Sequence, residues 1–213
     1  MDPFSTLTAV AAPLDMVNLD TDRIIPARFL RQPRAAGYHN YLFHDLREEP
    51  GFVLLRPEYR AAKILVAAEN FGCGSSREGA VWALTGAGFR AWIAPSFGDI
   101  FFENSFKNGA LAIVLPAARV AAIRAELQRA PGRELTIDLG AQTVRRPGGE
   151  TEHFEIDPFH KECLLAGIDE IDLTLRHADV IAAYEARQRV ETPWLTAEEQ
   201  PRDAGRVRGA GEP

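Results

Sequence analysis

Ten consecutive residues, Glu69-Asn70-Phe71-Gly72-Cys73-Gly74-Ser75-Ser76-Arg77-Glu78, hold the densest set of groups able to do chemistry in this chain. Two adjacent hydroxyls, Ser75 and Ser76, are followed by Arg77, whose planar guanidinium matches the fork of a carboxylate. Gly72 and Gly74 let the backbone approach a ligand closely and take conformations that other residues resist. The apolar run Ile64-Leu65-Val66-Ala67-Ala68 comes before, and the helix-like stretch Gly79-Ala80-Val81-Trp82-Ala83-Leu84 comes after. The pattern is strand, glycine-hinged loop, helix. Helix starts carry unsatisfied N–H groups and a partial positive charge, so the junction is a seat for a carboxylate or phosphate. A tight turn with Ser76 capping the helix and Arg77 paired to a surface acid would use the same residues. The Gly-Lys-Ser/Thr ending of a phosphate loop is absent, as is a GxGxxG fingerprint.

Other reactive groups are scattered. A serine nucleophile needs a histidine base, and the sequence places none of His39, His44, His153, His160 or His177 beside Ser75. Cys73 is either a small hydrophobe or a reactive thiol. Asp20 and Asp22 suit a turn cap better than a metal site or an acid/base dyad. Arg28, Arg31 and Arg34 form a solvated basic edge or a carboxylate clamp. Phe97, Phe101, Phe102 and Phe106, at helical spacing, read as core.

The elements that must position these groups alternate. Strand 62–67, loop 68–76 and helix 77–87 lead to strand 90–94, a helix over 97–107 capped by Pro95-Ser96, and a strand over 111–115. Strands and helices at this spacing indicate βαβ units and a mostly parallel sheet. Upstream, residues 6–19 carry a weak strand signal. Residues 31–60 mix Pro33, Gly37, Pro50, Gly51 and Pro57 with aromatics, an irregular excursion with one short helix around 38–47. Downstream come an amphipathic helix over 117–130, a hairpin of 134–139 with 143–145, a short strand at 153–156 and a mainly helical stretch over 158–190 broken at Gly167. One α/β domain over residues 1–190 is expected. A C-terminal tail, 191–213, follows; from about Ala197 it lacks apolar periodicity and is expected to be disordered.

The chain is 213 residues long, 46% hydrophobic and 25% charged, enough to bury a substantial core. A formal net charge of −6 argues against a nucleic-acid binder, which needs a basic face. Two cysteines, Cys73 and Cys163, are too few for a disulfide scaffold or a four-cysteine metal site and fit a reducing compartment. No basic n-region opens the chain and no segment approaches the roughly 20 apolar residues of a membrane span, so the expected location is the cytoplasm, away from membranes.

Several ordered motifs carry a resemblance across residues 5–190. They are Asn18-Leu19-Asp20-Thr21-Asp22-Arg23-Ile24-Ile25-Pro26, the loop 69–78, Ser96-Phe97-Gly98-Asp99-Ile100-Phe101-Phe102, Asn104-Ser105-Phe106-Lys107-Asn108-Gly109, Phe154-Glu155-Ile156-Asp157-Pro158-Phe159 and Cys163-Leu164-Leu165-Ala166-Gly167. The chain resembles the aconitase superfamily, and within it the small subunits of 3-isopropylmalate dehydratase. That resemblance implies a swivelling three-layer β/β/α domain like aconitase's mobile fourth domain. It implies a large partner subunit whose three cysteines hold a [4Fe–4S] cluster, so Cys73 is no ligand and this chain binds no metal. The implied reaction takes 2-isopropylmalate to 3-isopropylmalate through isopropylmaleate in leucine biosynthesis.

Carried over position by position, the resemblance makes Ser75 the alkoxide-like base. Ser76 and Arg77 become binders of a substrate carboxylate, and Gly72, Cys73 and Gly74 the supporting loop. Arg34, reached without gaps from Asp22, falls where the superfamily places another substrate-binding arginine. The chain departs from the pattern at Gly79, where the family has histidine, and at Val81, where it has proline. These departures keep two alternatives open. One is a paralogous hydro-lyase acting on citraconate, dimethylmaleate or homoaconitate. The other is a non-catalytic regulatory or assembly module.

Overall fold

The computed structural model describes residues 1–33 and 37–195. Strand β1 (Thr6–Leu14) organises the fold because its two halves pair differently. Its C-terminal half runs parallel to β2 (Ile64–Ala67), with Ala11 opposite Ile64 and Leu14 opposite Ala67. Its N-terminal half runs antiparallel to β5 (Glu134–Asp138), with Thr6 opposite Asp138. Strands β3 (Ala91–Ala94) and β4 (Leu111–Val114) extend the parallel side, and β6 (Thr143–Arg145) and β7 (Thr151–His153) the antiparallel side. The seven-stranded order is β4-β3-β2-β1-β5-β6-β7. The mixed α/β class expected from sequence is present, but the sheet is parallel over one half only. Hairpins need just a short turn, and the segment after residue 133 supplies short strands with no crossover helices.

Every residue of β2 and β3 is buried, as strands covered on both faces require. The single turn α1 (Thr21–Ile24) and the crossovers α2 (Gly79–Gly86) and α3 (Asp99–Lys107) join successive strands, and α4 (Ala117–Arg129) follows and packs on β1, β2 and β3. In α4, Val120, Ile123 and Leu127 recur at helical spacing and are fully buried. The phenylalanines expected to be core are so in part: in α3, Phe101 and Phe106 are buried and Phe102 packs against the core, as does Phe97 just before the helix. Trp92 in β3 donates through Nε1 to Ser105 Oγ at 3.0 Å, and that hydroxyl donates to the Phe101 carbonyl at 2.6 Å. A buried indole N–H without a partner would cost about 1–3 kcal/mol, so Ser105 ties α3 to the sheet.

Three local expectations are corrected. Helix α3 begins at Asp99 after Gly98, not at Phe97, because Ser96 and Phe97 are drawn into extended pairing with the neighbouring loop. The short strand is Thr151–His153, not 153–156; β6 begins at Thr143, opposite His153, and offers no ladder beyond it. The helix expected around 38–47 is two 3-10 turns, Tyr38–Tyr41 and Leu46–Glu48. They join Ala27–Arg31, Val53–Leu55 and Pro57–Tyr59 in a segment where proline and glycine prevent longer helix.

The first compact unit is Met1–Glu170, and it includes α5 (Pro158–Ala166), closed by Gly167 in a left-handed conformation. The second begins at Ile171. It holds most of α6 (Glu170–Leu175), α7 (Ala178–Glu191) and a 3-10 turn, Pro193–Leu195, none with a buried residue. The tail beyond residue 195 lies outside the described residues. Among the described residues, no helix is long and apolar enough to cross a membrane.

Candidate active site

Strands β1, β2 and β3 run parallel, so the loops that leave their C-terminal ends emerge side by side. Open parallel sheets bind ligands at this edge. The backbones of the three loops are laced together. Gly72 N donates to the Leu19 carbonyl at 2.8 Å and Thr21 N to the Cys73 carbonyl at 3.0 Å. Phe71 N donates to the Ser96 carbonyl at 3.1 Å and Gly98 N to the Phe71 carbonyl at 2.9 Å. Side chains add to this: Ser96 Oγ accepts from Asn70 N at 2.9 Å, and Asn70 Nδ2 donates to Asn18 Oδ1 at 2.8 Å. Each loop therefore continues the sheet by a residue or two before turning away.

An open cleft of about 320 Å³ results, lined by Gly72, Cys73, Gly74, Ser75 and Ser76 on one wall and by Gly98, Asp99 and Ile100 on the other. Glycine is required where the walls meet. At Gly98 an added Cβ would fall 2.7 Å from the Gly72 carbonyl oxygen and 2.8 Å from Cys73 Cα, so any side chain would push the walls apart.

Beside the cleft, Arg77 turns back onto Ser75. Its backbone N donates to Ser75 Oγ at 3.2 Å and its Nε donates to the same oxygen at 2.8 Å. Nη2 of Arg77 lies 3.9 Å from Asp22 Oδ1, whose carboxylate also accepts from Ala27 N at 2.7 Å. The arginine side chain is still 46% exposed, so its terminal edge remains open to a ligand. The capping role considered for Ser76 is not adopted: Glu78 is the residue before α2, with no side-chain cap bond. Glu78 instead accepts from Asn108 Nδ2 at 2.6 Å, tying the end of the loop to the end of α3.

Asp20 caps α1 by accepting from Arg23 N at 2.8 Å, the turn role preferred from sequence. Arg28 is bonded to Asp45 and lies over the Phe29 ring. Arg34 lies outside the described residues. No histidine is among the cleft residues; His44 sits with Arg28 and Asp45, and His160 stacks on Phe106 at 4.2 Å. The second wall, Gly98 to Ile100, and the Asp22–Arg77 contact went unassigned in the sequence. The clue available was position: both segments follow a strand of the same parallel set.

Partial burial, and then the neighbouring Asp20 carboxylate, push the Cys73 thiol above its ordinary value, outweighing a backbone hydrogen bond that acts the other way. Less thiolate is therefore present at any given pH. We expect iodoacetamide to label Cys73 more slowly than glutathione near neutral pH, with the rate climbing only as pH passes the usual thiol range. Labelling faster than glutathione near pH 7 would show an activated thiol instead. Among the described residues, no set of three His, Cys, Asp or Glu side chains is arranged to hold a metal ion.

Residues 1–118 match the family described as the aconitase C-terminal domain. Residues 170–198 match the family described as the C-terminal domain of the 3-isopropylmalate dehydratase small subunit. The chain is 51% identical over 210 residues to the 3-isopropylmalate dehydratase small subunit of Methylibium petroleiphilum, covering 92% of this chain and 97% of that one. It is 50% identical to the corresponding subunit of Paramagnetospirillum magneticum, covering 92% of this chain and all of the relative. Among solved structures, 3-isopropylmalate dehydratase from Methanocaldococcus jannaschii superposes with a TM-score of 0.62 at 26% identity, over 84% of this chain and 99% of that one.

Proposed function

The chain belongs to the family of 3-isopropylmalate dehydratase small subunits, and from that premise we propose how its cleft takes part in the reaction. The activity is that of a hydro-lyase in leucine biosynthesis, moving water between neighbouring carbons of isopropylmalate. Its difficult step is removal of a proton from a carbon beside a carboxylate.

In our reading Ser75 Oγ receives that proton. A serine hydroxyl is a poor base in water because its alkoxide is unstable there. Two donors from Arg77, one of them charged, converge on this oxygen and stabilise the form that accepts a proton. That convergence, on the wall of an open cleft, carries the proposal. Ser76 and the exposed edge of Arg77 hold one substrate carboxylate, and Arg34 a second. Asp22 keeps the guanidinium in place from behind.

A [4Fe–4S] cluster on a large partner subunit would supply the Lewis acid that helps hydroxide leave. The donor set of this chain does not suit such a cluster: of its two cysteines, Cys73 lies in the loop and Cys163 is buried in α5. We place the large subunit against the open side of the cleft, the swivelling domain closing over the dicarboxylate between them, in the cytoplasm and away from nucleic acid and membrane.

Reconstitution tests this. The chain alone should give no turnover. With its cognate large subunit, assembled anaerobically with an intact cluster, it should isomerise 2-isopropylmalate in preference to citraconate, dimethylmaleate or homoaconitate. Binding to the large subunit with no turnover of any of the four would make it a regulatory module. A preference for one of the other three would move it to a paralogous hydro-lyase.

A further inference from the structure

Gly79, the first residue of α2, is buried although Ser76 and Arg77, just upstream in the serine loop, are exposed. The space its missing side chain leaves is filled. A Cβ at this position would lie 2.5 Å from Leu30 Cδ2, 3.6 Å from Leu30 Cδ1 and 3.6 Å from Tyr38 Cε2. Leu30 belongs to the 3-10 turn Ala27–Arg31, so this turn rests directly on the helix start. Tyr38 holds it there. Its hydroxyl is within hydrogen-bond reach of the Gln32 carbonyl at 2.9 Å and the Leu30 carbonyl at 3.4 Å. Its ring packs 5.9 Å from that of Trp82, one turn further along the same face of α2.

The other end of the turn is fixed to the catalytic loop. Ala27 N bonds Asp22 Oδ1 at 2.7 Å, and the same oxygen lies 3.9 Å from Arg77 Nη2. Residues 27–32 are thus held at Asp22 beside Arg77 and at Gly79, two residues beyond it. Gly79 does not have a positive φ, so no backbone conformation demands glycine. What occupies the space is the end of the Leu30 side chain, which an added Cβ would displace.

We propose that Leu30 seated in the Gly79 socket is a positioning contact, setting the distance between the 27–32 turn and Arg77 and so tuning substrate binding. The residues act through Arg77 and touch no reacting atom. This inference rests on the reading of Ser75 and Arg77 as the substrate-facing wall.

A double-mutant cycle on the reconstituted two-subunit enzyme tests it. Gly79→Ala should raise KM for isopropylmalate roughly five- to twentyfold while kcat stays within about twofold, because ground-state positioning is lost and the base is untouched. Alanine is the better helix former, so the melting temperature of Gly79→Ala should stay within a few degrees of wild type. A structural lesion would lower it. Leu30→Ala vacates the seat, and adding Gly79→Ala to it should then change KM by less than about twofold, the mark of two residues acting through one contact. Unchanged KM in Gly79→Ala, a loss confined to kcat, or additive effects in the double variant would overturn the inference while leaving the proposed function standing. A wild-type pair with no turnover would overturn both.

Discussion

Replacing Ser75 with alanine is expected to lower kcat of the reconstituted enzyme by roughly 10²–10⁴-fold, the range for loss of a positioned proton acceptor, with KM changed by no more than about threefold. The substitution removes one oxygen and little else. The loop's course is set by the backbone bonds of Gly72 and Cys73 to residues 19 and 21 and of Phe71 to residues 96 and 98, none of which involves the Ser75 hydroxyl. Arg77 loses its acceptor, but its guanidinium keeps the Asp22 carboxylate nearby. The proposed carboxylate seat therefore survives while the proposed proton acceptor does not. Single-turnover dehydration with saturating substrate reads the step directly. An unchanged rate would remove Ser75 as the base. A large rise in KM with kcat retained would make it a binding residue instead.

The second large effect is structural. Gly72 has φ +75°, and a Cβ there would sit 2.2 Å from Phe101 Cγ and 2.5–2.6 Å from both Cδ atoms. The Phe101 ring cannot retreat: it is 2% exposed and wedged between Phe71, 5.2 Å away edge-on, and Trp92, 5.6 Å away. Gly72→Ala combines the left-handed backbone cost of about 1–2 kcal/mol with core overpacking of about 1–3 kcal/mol. A destabilisation of roughly 2–5 kcal/mol is expected by urea unfolding of the subunit, together with loss of activity as the two cleft walls separate. Gly51 provides the control, since it has φ +82° with nothing within 4 Å of its added Cβ. Gly51→Ala carries the backbone cost without the clash. Equal losses at the two positions would mean that Phe101 does yield.

Much of the candidate site was legible because its reactive groups are contiguous. Ser75, Ser76, Arg77 and the glycines before them occupy one strand-to-helix junction, and a junction of that kind has only one edge of a parallel sheet on which to sit. The alternation of elements from residue 62 to 115 was readable for the same reason. Hydrophobic runs of strand length and intervening helices are local properties. Helix starts were less so. Ser96 looks like a cap in isolation, but its hydroxyl is taken by Asn70 and its carbonyl by Phe71, partners about 25 residues away that no local pattern reveals.

By itself, then, the sequence determined the candidate serine loop, its βαβ setting and the resemblance that comparison with relatives bears out, because each is written in residue type and short-range spacing. Only the tertiary structure decided what faces that loop. Gly98, Asp99 and Ile100 form its opposite wall, Arg77 turns its donors onto the Ser75 oxygen, and Leu30 fills the space at Gly79. The expected hairpin of β5 and β6 is present, but that it joins β1, making one sheet half parallel and half antiparallel, was likewise settled by long-range pairing. The physical reason is common to all of these. A side chain's partner across a packed fold is chosen by which strands lie adjacent and how much space is left, and neither is a property of the residues next to it in the chain.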